Sequence, residues 1–164
     1  NPDWERFEQI GYNFRMNQLA AAVALAQMEK AEVYIGLRRA MGTAFTSVLE
    51  KSSLLKPQFE PKGYYFTYYT FSAKFNGKEH NITWEKFRKK FMDFGGDGIY
   101  AASKLQHQEP AFRDNKIGYG ETPVAVDLQK NLMNFTTNQR NSSEREVQLN
   151  ALRKTLAFFG DNVN

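Results

Sequence analysis

The chain has 164 residues, 41% of them hydrophobic and 15% aromatic, enough for one domain with a core of its own. It contains no cysteine, which excludes disulfides, thiolate catalysis and cysteine-ligated zinc within these residues. Its 22 basic and 18 acidic residues leave a net charge of +4 spread along the chain, which suits a phosphate-bearing small ligand without calling for nucleic acid.

The opening, Asn-Pro-Asp-Trp-Glu-Arg, lacks an initiator Met and is unlike the basic-then-apolar start of a signal peptide. No apolar run approaches the ~20 residues that span a bilayer. A cytosolic protein with no membrane partner is therefore expected. Residues 1–12 read as a lead-in to a polar head, Asn13, Arg15 and Asn17, set in front of a helix. Asn17 can cap the free N–H groups of that helix. Leu19 to Ala26 are all apolar, and a helix apolar on every side is normally buried all round. The helix is expected to run through Gly36 and Gly42 toward Lys51, bending at one of these glycines. In its second half Val33, Leu37, Met41, Ala44, Phe45 and Val48 recur at helical spacing, with Arg38 and Arg39 outside.

Ser52-Ser53 and Pro57 to Gly63 end the helix and read as a loop. Tyr64 to Phe75 reads as a strand with aromatics on both faces, so both faces are expected to be covered, and it ends at the turn pair Asn76-Gly77. Thr83 predicts the cap of a helix over 84–94 that turns Trp84, Phe87 and Phe91 inward and Lys86, Lys89 and Lys90 outward. A second strand over 98–105, the loop 106–112 and a polar stretch over 113–121 follow. Thr122-Pro123 opens a short helix to about Leu132, and residues 133–137 are extended. Ser143 with Glu146 predicts a capping box for the last helix, whose inward stripe is Val147, Ala151, Leu152, Thr155, Leu156 and Phe159, with Gly160 at its end. These elements make an α+β domain: a small, mostly antiparallel sheet with packed helices, led by the long helix.

The segment Gly11-Tyr-Asn-Phe-Arg-Met-Asn-Gln-Leu-Ala-Ala-Ala22, followed by Ala26-Gln-Met-Glu-Lys30, resembles the "G-y-N-y-R-m-s/d-x-x-A-A" and "Q-L-e-k" segments of the DegT/DnrJ/StrS aminotransferases. Looser likenesses follow. The aromatic strand, the helix running into Gly98-Ile99, Leu105 to Phe112 as "p-l-H-x-x-p-a-y", and Pro123 to Leu128 as "P-v-A-e-x-l" keep the family's order. The resemblance implies the C-terminal domain, over residues 1–164, of a fold type I pyridoxal-phosphate enzyme. Such an enzyme, a homodimer, transfers an amino group, with glutamate as donor, to a keto sugar on a nucleotide for cell-surface polysaccharide or amino-sugar biosynthesis. The large domain with its cofactor-anchoring lysine is not among these residues. Lys74 only faintly mimics that lysine's motif, with no glycine-rich segment after it, so these residues alone are expected to be inactive. The alternative is a non-catalytic binding domain derived from the family.

For the site, the resemblance implies Asn13 as the amide that reaches a partner subunit's pyridoxal phosphate, and Arg15 beside it. On chemistry alone, Arg15 fits either a fork for a phosphate or carboxylate, or a surface ion pair with Glu5, Glu8 or another acid. His107 matches the loop histidine on the sugar side, against the reading of an exposed loop residue, and Lys104 is a candidate for substrate phosphate. The second histidine, His80, has no suggested partner, and the two make no recognisable metal site.

Overall fold

A computed structural model describes residues 5, 7–118 and 120–161. The Pro2 opening of the lead-in lies outside them. Helix α1 (Gln18–Met28) is followed by α2 (Ala31–Leu49), then strand β1 (Leu55–Pro57) and strand β2 (Phe71–Phe75). A 3-10 turn over Gly77–His80 leads to α3 (Trp84–Asp93), β3 (Tyr100–Ala101) and a second 3-10 turn over Gln106–Gln108. The chain continues through α4 (Pro110–Arg113), α5 (Pro123–Asn131), β4 (Leu132–Phe135) and α6 (Ser142–Phe158).

The four strands form one antiparallel sheet in the order β1-β2-β4-β3, with Ala73 opposite Met133 and Phe71 opposite Phe135. Strand alternation puts Leu55, Phe71, Ala73, Phe75, Met133 and Phe135 on one buried face. The second half of α2 together with α3 and α6 closes over that face, and the core is aromatic. The Phe45 ring lies 5.1 Å from Phe71 and 5.4 Å from Phe135, and Phe91 meets Phe135 edge-on at 5.6 Å. Such pairs favour tilted and edge-to-face contacts, as seen here. On the opposite face Ser72 donates to Asn134 across the ladder, and Lys74 pairs with Asp127 of α5 at 3.3 Å. The α+β expectation with a small antiparallel sheet therefore holds.

Several local expectations are corrected. The long helix is two helices, and it breaks at Glu29-Lys30 rather than at a glycine. Gly42 lies inside α2 for another reason. A Cβ there would sit 2.5 Å from Cγ of Tyr68, so its missing methyl seats that ring. α1 is scarcely covered: it has no buried residue, and Leu19 and Val23 are 83% and 65% exposed. Val33 is exposed as well, so the inward stripe of α2 starts only at Leu37.

The aromatic strand is five residues long, not twelve. Tyr68 has φ 49, in the left-handed region, which ends extended backbone there. The carbonyls of Phe66, Tyr68 and Tyr69 go instead to Arg39, Thr137 and Arg38. Tyr64, Tyr65 and Tyr69 consequently face solvent instead of being covered. The second strand likewise shrinks to Tyr100–Ala101, and β1 was not anticipated, its last residue Pro57 being the first of the stretch read as loop.

The cap of α6 is Asn141 with Glu144, two residues ahead of the expected pair. Asn141 Oδ1 accepts from the Glu144 N–H at 2.9 Å, and Glu144 accepts from the Arg140 N–H at 2.7 Å. Within α6 the inward stripe also differs from expectation: Val147 is exposed, whereas Gln148 and Leu149 are buried. Thr83 caps α3 as expected, and Phe87 and Phe91 are buried. Lys90, expected to point outward, lies over the Phe158 ring at 4.3 Å.

Candidate functional site

Residues 8–17 run in irregular conformation to the N-terminus of α1, where Asn17 Oδ1 accepts from the Ala20 N–H at 2.8 Å and fixes the start of the helix. Asn13 Oδ1 accepts from the Arg15 N–H at 3.0 Å, a local turn that Arg15 completes with φ 52. The acceptor atom of Asn13 is thus spent on its own backbone, and its NH2 donors are left for something else. Arg15 is exposed beside it with no ion pair among the described residues. Glu5, one suggested partner for Arg15, is engaged elsewhere.

That engagement ties the lead-in to the second half of the candidate site. A single carboxylate oxygen of Glu5 accepts from Lys104 Nζ and from Arg113 Nη1, each at 3.0 Å. Those hydrogen bonds hold the Glu5 carboxyl below its usual range. The Ala111 N–H donates to the Phe7 carbonyl at 2.7 Å, and the Phe7 N–H reaches Glu109 at 3.4 Å. The segment of chain leading to Asn13 is therefore stitched to the start of α4, directly after the 3-10 turn that carries His107. Lys104, with its side chain only 18% exposed, is an internal partner of Glu5.

His107 is half-buried in the 3-10 turn before α4. It borders a hollow of about 180 Å³ with Phe112, Arg113, Lys116, Ile117 and Gly118. The structure thus brings His107, Lys104 and Arg113 into one region, and puts Asn13 and Arg15 on the exposed segment that continues from it. Arg113 and Lys116 are the functional candidates the sequence reading passed over. They lie in a polar stretch with no periodicity, and only its two cations so soon after the His107 loop could have marked it. Among the described residues no cluster of metal-ligating side chains occurs and no helix is long and apolar enough to cross a membrane.

The pattern of the DegT/DnrJ/EryC1/StrS aminotransferase family matches residues 2–148. The chain belongs to that family. It is 35% identical over 143 residues to a GDP-perosamine synthase of Escherichia coli O157:H7, a match covering 85% of this chain and 36% of that protein. Its fold is that of solved aminotransferases. One from Psychrobacter cryohalolentis matches 98% of the chain and 44% of its own length at 16% identity, with a TM-score of 0.75. PseC of Helicobacter pylori, an aminotransferase of pseudoaminic acid biosynthesis, matches 93% of the chain and 41% of its own at 15% identity, with a TM-score of 0.69. This family member therefore spans well under half the length of those relatives.

Proposed function

We propose that residues 1–164 are the C-terminal domain of a homodimeric, pyridoxal-phosphate-dependent aminotransferase that transfers an amino group from glutamate to a keto sugar carried on a nucleotide. The family match over residues 2–148 carries this reading. The donor set in front of α1 supports it: an amide whose carbonyl oxygen is already bonded, leaving two N–H donors, and an exposed guanidinium next to it. Those groups fit a phosphate. An amide donates to a dianion without bringing a charge that needs its own counter-ion, and a guanidinium fork supplies the compensating charge.

In this reading Asn13 donates to the cofactor phosphate held by a partner subunit, and Arg15 neutralises the anion beside it. When bound, the cofactor supplies the electron sink for amino transfer. Residues of this chain bind and orient. His107 and Arg113 border the substrate's sugar and phosphate groups, and Lys104 joins them by exchanging Glu5 for a substrate anion. Lys74, on the outer sheet face and paired with Asp127, has no part in it. The cofactor-anchoring lysine belongs to the large domain, so these residues alone do not turn over substrate.

The test is titration of the full-length protein with pyridoxal phosphate, followed by cofactor absorbance, with glutamate-dependent amination of a nucleotide-linked keto sugar as the second readout. Replacing Asn13 by Ala is expected to weaken cofactor binding by about 10-fold or more, as loss of one hydrogen bond to a charged group does. Unchanged cofactor affinity in that variant would overturn the role of Asn13. A full-length protein that binds no cofactor would point instead to a non-catalytic binding domain.

A further inference from the structure

Gln139, in the connection from β4 to α6, is only 4% exposed. Its Nε2 donates to Asp97 Oδ2 at 3.0 Å and to Thr136 Oγ1 at 3.3 Å. The Thr136 hydroxyl in turn donates to the same Asp97 oxygen at 3.0 Å. That triangle fixes which way the amide faces, because turning it over would set a carbonyl oxygen against a carboxylate oxygen. The Gln139 Oε1 is left as a buried acceptor with no donor among the described residues. Folding has taken that oxygen out of water, and only a donor offsets the cost.

Gln139 lines an open hollow of about 310 Å³, together with Asp97, Glu144, Val147 and the buried Gln148. The Asp97 N–H donates to Gln148 Oε1 at 2.8 Å, which holds Asp97 at the rim. Glu144 accepts from the Arg140 N–H at 2.7 Å and from Asn141 Nδ2 at 3.3 Å, so the positive end of α6 is already answered from within the chain. These groups select the occupant. An anion would meet two carboxylates and an acceptor oxygen, against one exposed cation, Arg140. A neutral hydroxyl would satisfy Gln139 and leave the carboxylates without a counter-charge. A cation that donates hydrogen bonds answers both. The acceptors come from three separate segments, the α3–β3 connection, the β4–α6 connection and the first turn of α6, so they converge on a point rather than line an edge. A compact ammonium with three donors matches that arrangement better than a flat guanidinium fork. Val147, 52% exposed beside them, offers an apolar contact to the methylenes behind the charge.

We propose that this hollow binds a protonated primary alkylamine, from a free diamine or from the side chain of a lysine on another protein, with Gln139 Oε1, Asp97 and Glu144 as its acceptors. Asn13, Arg15, Lys104, His107 and Arg113 take no part in its lining, so the site stands or falls separately from amino transfer.

The experiment titrates the full-length protein with cadaverine and with Nα-acetyl-lysine methylamide, read by saturation transfer to the ligand protons. Tetramethylammonium, a charge without a donor, and pentanediol, a donor without a charge, are the controls. Both amines are expected to bind and both controls to fail, with transfer strongest at the methylene next to the ammonium. Tighter binding of cadaverine assigns the site to free diamines, and tighter binding of the lysine derivative to a protein-borne lysine. Gln139→Met removes the unanswered acceptor at similar volume and is expected to weaken amine binding by about 10-fold or more, the scale of a hydrogen bond to a charged group. Asp97→Asn and Glu144→Gln keep an acceptor oxygen and remove one charge, and each is expected to weaken it by about 1.5- to 5-fold, the range of an exposed ion pair. Both of these positions are exposed, so the two variants carry the test even where circular dichroism shows that Gln139→Met does not fold. Absence of transfer to either amine overturns the site, as does tighter binding of methylguanidinium or equal binding of a control. So does amine binding that every folded variant leaves unchanged.

Discussion

Gly36 and Gly42 lie six residues apart on α2, and a methyl group added to each meets different surroundings. At Gly36 it meets nothing within 4 Å, whereas at Gly42 it meets the near end of the Tyr68 ring at 2.5 Å. Gly36→Ala is therefore expected to raise the stability of the domain by about 0.5–1 kcal/mol through helix propensity. At Gly42 the same propensity gain is outweighed by overpacking of about 1–3 kcal/mol or more, and the variant is expected to melt lower. Thermal denaturation of the two variants side by side checks the pair. Asp161 gives a second contrast. Burial by itself pushes its carboxyl up, but the hydroxyl of Ser52, the N–H groups of Ser53 and Leu54, and the Ser53 hydroxyl together hold it below the usual aspartate range. A carboxyl lowered in the folded state stabilises fully above its unfolded pKa of about 3.9, and that contribution is lost as pH falls through the folded value. Asp161→Asn is expected to cost about 2 kcal/mol at pH 7, with the gap to the parent closing below about pH 4 in urea titrations at several pH values.

Local capping signals decided which elements could be read from the sequence. Thr83 ahead of a run with apolar residues at helical spacing marked α3, and Thr122-Pro123 marked α5, because both signals act within one turn of the helix they start. The capping box of α6 was misplaced because Ser143 with Glu146 and Asn141 with Glu144 both satisfy the pattern, and the second pair holds the position. Asn141→Ala is accordingly expected to cost about 1 kcal/mol, and Ser143→Ala close to nothing, in chemical denaturation. What could not be read is what distant residues impose. Aromatic composition called for a long strand over 64–75. Three backbone carbonyls captured by Arg38, Arg39 and Thr137 made it a loop, and those partners lie 27 to 69 residues away in the sequence. β1 was hidden because three residues ending in Pro carry too little pattern, although Pro is tolerated on an edge strand. The site divides the same way. Asn13, Arg15 and His107 came from motif positions, whereas the Glu5 bridge joining Lys104 to Arg113 spans 99 and 108 positions and appears only in the fold.

At the scale of the molecule, the arrangement is lopsided. One end is a dense aromatic core under the sheet; the other is α1, eleven residues with no acid in its first turn, no base in its last and no buried side chain. A helix this short is marginal in water on propensity alone, because nucleation is costly and few hydrogen bonds repay it. Its apolar circumference gives it no solvated face to prefer, so a single flat neighbour would still leave half of it wet. The proposed function supplies cover from two sides, the large domain and a second subunit, and this yields a prediction about dynamics rather than activity. In the isolated 164-residue chain the amides of α1 are expected to exchange with solvent at nearly unprotected rates, while those of α6 and of α2 from Met41 onward exchange only with global unfolding. In the full-length protein the α1 amides are expected to slow by several orders of magnitude, to the level of the core. Hydrogen exchange followed by mass spectrometry reads both states on the same peptides. Protection of α1 already present in the isolated chain at micromolar concentration, and lost on dilution, would assign its cover to a second copy of this domain alone. Protection absent even in the full-length protein would remove the reason for placing Asn13, four residues ahead of Asn17 at the head of that helix, at an interface at all.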